Sequence, residues 1–512
     1  MRIKFARQQK MDFVYLGSSI KQGMINKLQI SRIQRFMGIF ALSAAILAGA
    51  VPGWAQEKPG AAWPMFRGQN GSGVSETGKL PTVVGPDVNV IWKKEIPLGY
   101  SSPVLNLQNI FITAVQANKL LTLCIDRLTG ETVWQKEAPR PRQEKIDGRN
   151  NPASPTPVID EAHVYVFFPD FGLLAYDLNG NEIWKVPLGP FDNDYGMGAS
   201  PVVAGDDVVL VCDQTTGSFI IAVDKSTGKI HWRKDRPEAK SGHCTPILYQ
   251  PETGDLQVLV PGSFMLIAYS AKTGERVWWV NGLSFEMKST PVIHNGMVFI
   301  NGYATPLNQP GLQPQVPAFA DALTLYDTDR DKLLSEKELP KEAPYDWFSF
   351  VDLKKDGQLD SDDWSYFQAA LASLNAMLGI RLGGRGDMTA ENTVWKYYRY
   401  VPQLPSPLVY RNMLYMINDI GFITIFNPAD GKVIREGRLT GGGSQFYSSP
   451  VGADGKIYFI SRSGKVSVLN GDGTLDIQVI NELKEECYAT PAIADGRLYI
   501  RTTGTLYCFG EK

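Results

Sequence analysis

Asp327, Asp329, Asp331 and Glu338 stand at positions 1, 3, 5 and 12 of a twelve-residue stretch. Calcium takes six to eight hard oxygens, and carboxylates at this spacing wrap around one ion. Leu333 offers its backbone carbonyl at position 7, and Ser335 reaches the ion through water at position 9. Calcium is therefore expected in this first loop. Lys332 occupies position 6, where a sharp turn favours glycine. A side chain at positive φ costs on the order of 1 kcal/mol, which weakens the site without abolishing it. A second stretch begins 25 residues later with Asp352, Asp356, Gly357, Gln358, Asp360 and Asp363. It has the glycine, and Leu359 is the apolar residue at position 8. However, Lys354 replaces an oxygen donor at position 3, and Asp363 replaces the bidentate glutamate. This second loop is expected to be weak or empty.

Such loops need helices to hold them. Phe319, Leu323 and Tyr326 fall on one helical face before the first loop; Trp364, Phe367, Leu371, Leu374 and Leu378 follow the second with helical period. Loops and flanks together resemble an EF-hand pair. The surrounding residues 303–383 carry thirteen acidic and seven basic side chains, so the alternative is an acidic, solvated helical surface.

The rest of the chain is repetitive. Ser/Thr-Pro followed by apolar residues recurs at Ser102-Pro103, Thr156-Pro157, Ser200-Pro201, Thr245-Pro246, Thr290-Pro291, Ser406-Pro407, Ser449-Pro450 and Thr490-Pro491. Successive prolines are 54, 44, 45, 45, 116, 43 and 41 residues apart. Each mark precedes a β-branched or aromatic run such as Val208-Val209-Leu210-Val211, and many units then show a tight Thr-Gly turn and a Trp. Four short strands per ~43 residues is the spacing of a propeller blade. Eight marks predict an all-β, eight-bladed propeller, and the long step predicts an insert in blade five after Ile300. Trp134, Trp184, Trp232, Trp278 and Trp395 are expected to pack between blades; blades six and seven lack the Trp, and Arg435 takes its place in the sixth. The last unit stops after three strands, at Leu506-Tyr507-Cys508-Phe509, while an extra strand with Trp92 precedes the first mark. The N-terminal strand is therefore expected to complete the last blade, leaving no open edge. The divisions are a leader at 1–55, an arm at 56–89, propeller at 90–302 and 384–512, and the insert at 303–383.

These repeats, of Ala-x-Asp-x-x-Thr-Gly-x-x-x-Trp character, resemble the pyrroloquinoline-quinone (PQQ)-type β-propeller family over roughly residues 63–302 and 384–512. That family includes quinoprotein alcohol dehydrogenases and the outer-membrane assembly lipoprotein BamB. The resemblance implies either a binding scaffold of the cell envelope or a PQQ-dependent oxidoreductase with a divergent axial site. The family's dehydrogenases carry adjacent cysteines and an axial calcium cluster; no Cys-Cys occurs here, which argues against PQQ and favours the scaffold. A BamB-like assembly role is the other version, although no lipid-attachment cysteine lies near the cleavage point.

In a propeller the loops entering each first strand converge on the axis. Here they bring Tyr100, Arg149, Asn150, Tyr195, His243, Glu286, Lys288, Gln445, Tyr447 and Glu486 to a polar-aromatic funnel. Such a funnel suits a small ligand or an envelope protein or peptide; the alternative is a solvated channel rim. No Gly-x-Ser-x-Gly or His-Glu-x-x-His occurs, so no catalytic residue is assigned.

Residues 31–55 combine a basic start, an apolar run from Phe36 to Val51 and small residues before Gln56. This is the pattern of a secretory signal peptide, too short to form a stable membrane span. A periplasmic or secreted location is therefore expected. The net charge is −2, and about −9 without the leader, which excludes a phosphate-seeking basic surface and hence a nucleic-acid partner. Of the five dispersed Cys, Cys124 and Cys508 sit in strand-like runs and are expected as buried thiols rather than a disulfide.

Overall fold

The computed structural model describes residues 62–511; the expected leader and signal peptide at 1–55 lie outside the described residues. Within them the chain forms eight sheets arranged as blades, each with four antiparallel strands that follow one another in sequence except in blade five, which the insert interrupts, and in the last blade. In blade three the strands are Val202–Ala204, Asp207–Cys212, Phe219–Asp224 and Ile230–Asp235. The second and third strands are covered on both faces by neighbouring blades, which is why they read as nearly continuous apolar runs. The outermost strand alternates, and its one buried residue is Trp232.

Each outer Trp docks onto the next blade. The indole N–H groups of Trp92, Trp134, Trp184, Trp232 and Trp395 donate to backbone carbonyls of Arg127, Leu178, Lys225, Ala271 and Pro428 at 2.9–3.1 Å. The ring lies on the glycine of that blade's last hairpin. Gly228 has φ +76°, and a Cβ there would sit 2.8 Å from Trp184, so both the turn and the indole demand glycine. Gly130, Gly180, Gly274 and Gly431 meet Trp92, Trp134, Trp232 and Trp395 in the same way. Arg435 holds the equivalent register in blade six and Val479 in blade seven.

Trp278 departs from this pattern. It is fully buried and donates instead to Gln257 Oε1 at 2.9 Å. The last hairpin of blade five is long, and its Gly386–Asp387 segment pairs in parallel with Trp278 and Trp279 as a fifth strand on blade four.

The N-terminal strand, Val90–Glu95, completes blade eight: Trp92 pairs with Cys508 and Lys93 with Tyr507. A second closure runs around the axis. Ser102 N–H donates to Thr156 Oγ1, Thr156 N–H to Ser200 Oγ, and Ser200 N–H to Thr245 Oγ1. The series continues from Thr290 to Ser406, Ser449 and Thr490, and Thr490 N–H returns to Ser102 Oγ at 3.0 Å. The hydroxyls of seven of the eight Ser/Thr-Pro marks thus tie one inner strand to its neighbour, the Thr290 hydroxyl being the exception among the described residues.

The insert leaves blade five after Met297–Gly302 and returns at Ala376–Arg381, the blade's third strand. It contains helices α1 (Phe319–Tyr326), α2 (Phe348–Val351) and α3 (Ser361–Ala372). The helical period expected through Leu374 and Leu378 is corrected here. The helix ends at Ala372, and Leu378 is a strand residue paired with Ile300 and Lys396. The last part of 303–383 therefore belongs to the propeller. All five Cys are free and buried.

Candidate functional site

The funnel loops surround an axial cavity of about 240 Å³. Its floor is the ring of eight Ser/Thr hydroxyls, all of which line it. The cavity is closed from below by the arm that precedes the first blade. Trp63 exchanges two backbone bonds with Leu105, Pro64 accepts from Ile159 N–H, and the Asn70 side chain pairs with the backbone of Leu248. Gly73 then pairs with Gly452, so the arm crosses from blades one and two to blades four and seven. Phe66, carried on this arm, is part of the cavity lining.

Seven of the ten expected funnel residues line the cavity: Tyr100, Arg149, Asn150, Tyr195, His243, Lys288 and Tyr447. Arg149 makes a two-point ion pair with Asp147 at 2.6 and 3.0 Å, while its guanidinium lies 5.4 Å from the Tyr195 ring centre. Asn150 donates to the Tyr195 carbonyl at 2.8 Å. The other three residues do not line it. Glu286 pairs with the nearly buried Lys288. Gln445 and Glu486 both hold Arg462, each at 3.0 Å.

Electrostatics differ around the wall. The charge of Glu286, followed by burial, raises the Tyr195 phenol above its ordinary range. Burial drives the His243 imidazole down to about 4, against the opposing pull of Glu286. His243 is therefore neutral at pH 7, and its buried Nε2 has no partner among the described residues. On the far side Tyr100 stacks on Tyr488 with ring centres 3.9 Å apart, and Arg462 lies over Tyr447 and Tyr488. This wall offers flat aromatic faces backed by fixed charge.

Tyr488, Asp147, Phe66 and the hydroxyl ring are additions to the expected set. Tyr488 and Asp147 lie two residues from Glu486 and Arg149, so the right loops were identified but not all their inward side chains. The hydroxyls were visible in every Ser/Thr-Pro mark, as a restriction to two residue types that share an oxygen.

The insert leans on this funnel. Phe285, adjacent to Glu286, packs against Trp347 and Phe350 at 5.8 and 5.2 Å between ring centres, and Phe264 packs against Tyr366 at 5.8 Å. Lys355 pairs with Asp192 of the propeller at 2.7 Å.

Within the insert the two acidic loops face each other through Leu334–Ser335 and Gln358–Leu359, with Leu334 opposite Leu359. One carboxylate oxygen from each of Asp327, Asp329 and Glu338 lies within 4.8 Å of the others. Glu338 accepts from the Ser335 N–H and hydroxyl and from Thr328, which hold its carboxyl down to about 2. Asp331 accepts from Leu333 N–H at 2.8 Å. Lys332 adopts φ +69°, the strained turn anticipated for it.

The second loop is built differently. Asp352 accepts from Asp356 N–H and Gly357 N–H. The Lys354 ammonium pairs with Asp360, and Asp360 with Asp363 forms the capping box of α3. Gln358 is engaged in the short strand pair. A cation would have to displace this lysine, whereas the oxygens of the first loop face only backbone and hydroxyl donors.

Comparisons with known proteins agree with the fold. Residues 169–278 match the family described as outer membrane protein assembly factor BamB. The chain is 22% identical over 364 residues to the outer membrane protein assembly factor BamB of Yersinia pestis, covering 68% of this chain and 79% of that one. BamB from Moraxella catarrhalis superposes with a TM-score of 0.51 at 13% identity, over 82% of this chain and 99% of that chain. Quinohemoprotein alcohol dehydrogenase from Comamonas testosteroni gives a TM-score of 0.56 at 13% identity, over 88% and 81%. The chain is thus similar in sequence to BamB over part of its length and shares its fold with both solved propellers.

Proposed function

We propose that this propeller is a binding scaffold of the cell envelope that receives an envelope polypeptide in its axial funnel. The carrying observation is the cavity itself, sealed on one side by the arm and walled on the other by tyrosines and paired charges. A closed floor and an aromatic wall suit holding a guest better than passing solvent. The similarity to BamB, an outer membrane protein assembly factor by its name, supports a polypeptide as the guest. The leader pattern supports a periplasmic or secreted location. Among the described residues no helix is long and apolar enough to cross a membrane.

In this reading the first insert loop binds calcium through Asp327, Asp329, Asp331, Glu338 and the Leu333 carbonyl, with Ser335 acting through water. Calcium would replace the internal donors on Glu338 and stiffen the insert, whose aromatic side chains brace Phe285 beside the funnel. Capture of envelope proteins with and without chelator tests the scaffold; no partner under either condition counts against it. Calorimetric titration with calcium tests the loop, with one ion per chain expected and zero refuting it.

A further inference from the structure

The axis of the ring has more hydrogen-bond donors than acceptors. Seven of the eight ring hydroxyl oxygens accept a backbone or neighbouring-blade N–H as described above, and a hydroxyl that accepts keeps its proton to give. Among the described residues none of the eight donates to a protein acceptor, and all face the cavity. Arg67, on the arm next to the cavity-lining Phe66, is wholly buried. Its Nη2 donates at 2.7 Å to the carbonyl of Pro407, the residue after ring member Ser406. Its Nε and Nη1 have no partner, and no carboxylate pairs with it among the described residues. The Gly73 backbone packs against the guanidinium so closely that a Cβ there would lie 2.7 Å from Nη2. The unpartnered Nε2 of His243 stands at the same cavity.

A buried cation without a counter-charge, bonded to the residue after one ring member, beside hydroxyl protons without acceptors, is an arrangement that an anion would complete. Burial pulls Arg67 down to about 9, which still leaves it protonated at neutral pH. The nearby Lys288 does not settle the balance, since Glu286 already neutralises it.

We propose that the floor of the axial cavity binds one small oxyanion, held by the hydroxyl ring in the field of Arg67. Sulfate, phosphate and carboxylate share the needed chemistry: several acceptor oxygens on one compact negative group. The source is either a free inorganic anion or a carboxylate carried by a guest. The inference rests on the cavity being a binding site, yet it needs no envelope partner, so failed capture would leave it standing.

The test is calorimetry on the whole chain with sodium sulfate, sodium phosphate and sodium acetate in turn, at ionic strength held constant with chloride. Saturable binding of one anion per chain is expected for at least one of the three. Binding of acetate alone identifies a carboxylate; binding of sulfate or phosphate identifies a free inorganic ion. Arg67→Met should weaken binding at least tenfold, and Arg67→Lys should restore most of it. Should Arg67→Met fail to fold, Thr290→Val serves instead. The Thr290 hydroxyl accepts no ring N–H, so its removal strands no backbone group while deleting one donor, and a several-fold loss is expected. No saturable binding of any of the three anions, or unchanged affinity in the folded variants, overturns the proposal.

Discussion

Trp184 and Gly228 show how one residue in each of two blades makes an interface. The indole covers a glycine that no other residue could replace without moving the ring. Trp184→Ala should cost about 3–5 kcal/mol, since it leaves both a void and the Lys225 carbonyl unpartnered. Gly228→Ala should cost about 1–3 kcal/mol by forcing a methyl into the same contact. Urea denaturation of the two variants and of the double variant should show non-additive losses, because both act on one contact. His243 gives a pH-dependent counterpart. Its folded pKa lies below its unfolded value near 6.5, so the unfolded chain binds more protons between those values. Stability is therefore full above pH 6.5 and falls as the pH drops toward 4. The loss should be on the order of 3 kcal/mol. His243→Gln should flatten the denaturation midpoint across that window; an unchanged slope would refute the assignment.

At the scale of elements, blade five is the informative one. Its second and third strands are separated by the whole insert, and its last hairpin folds back on blade four. The acidic loops were legible because ligand spacing is a local property, and the pairing of Leu334 with Leu359 follows from two position-8 residues. The return strand was not legible. Ala376–Arg381 follows α3 after only three residues, and its apolar side chains continue a helical period that the backbone has already left at Ser373. Strand pairing with Ile300 and Lys396 overrides the local pattern. Calcium should raise Tm, by the equivalent of about 2.7 kcal/mol at a hundredfold excess over Kd. Asp327→Ala or Glu338→Ala should abolish that gain, and Asp363→Ala should not, though it should destabilise α3 by removing part of its cap. Scanning calorimetry with and without chelator distinguishes these outcomes.

For the whole molecule, closure is the decisive property. The eight-fold count followed from Pro spacing, and the partner of Trp92 followed from a missing strand at the other end. The arm was not legible in the same way, because residues 62–76 have no repeat to compare with and meet five blades through backbone groups that sequence does not mark. Deleting residues 56–95 should remove the arm beneath the cavity and the outer strand of blade eight together. Loss of cooperative unfolding is expected, with early proteolysis in blade eight; a truncated chain that melts as sharply as the full one would show the arm to be dispensable.

The clasp between Val90–Glu95 and Thr505–Gly510 makes the order of manufacture matter. The earliest strand to be synthesised finds its neighbour in the latest, so during translation it waits as a sticky border while seven sheets assemble behind it. Any chaperone that escorts the nascent protein has its natural handhold there, and a ribosome that stalls before Thr505 releases a product that is nearly whole yet unable to lock.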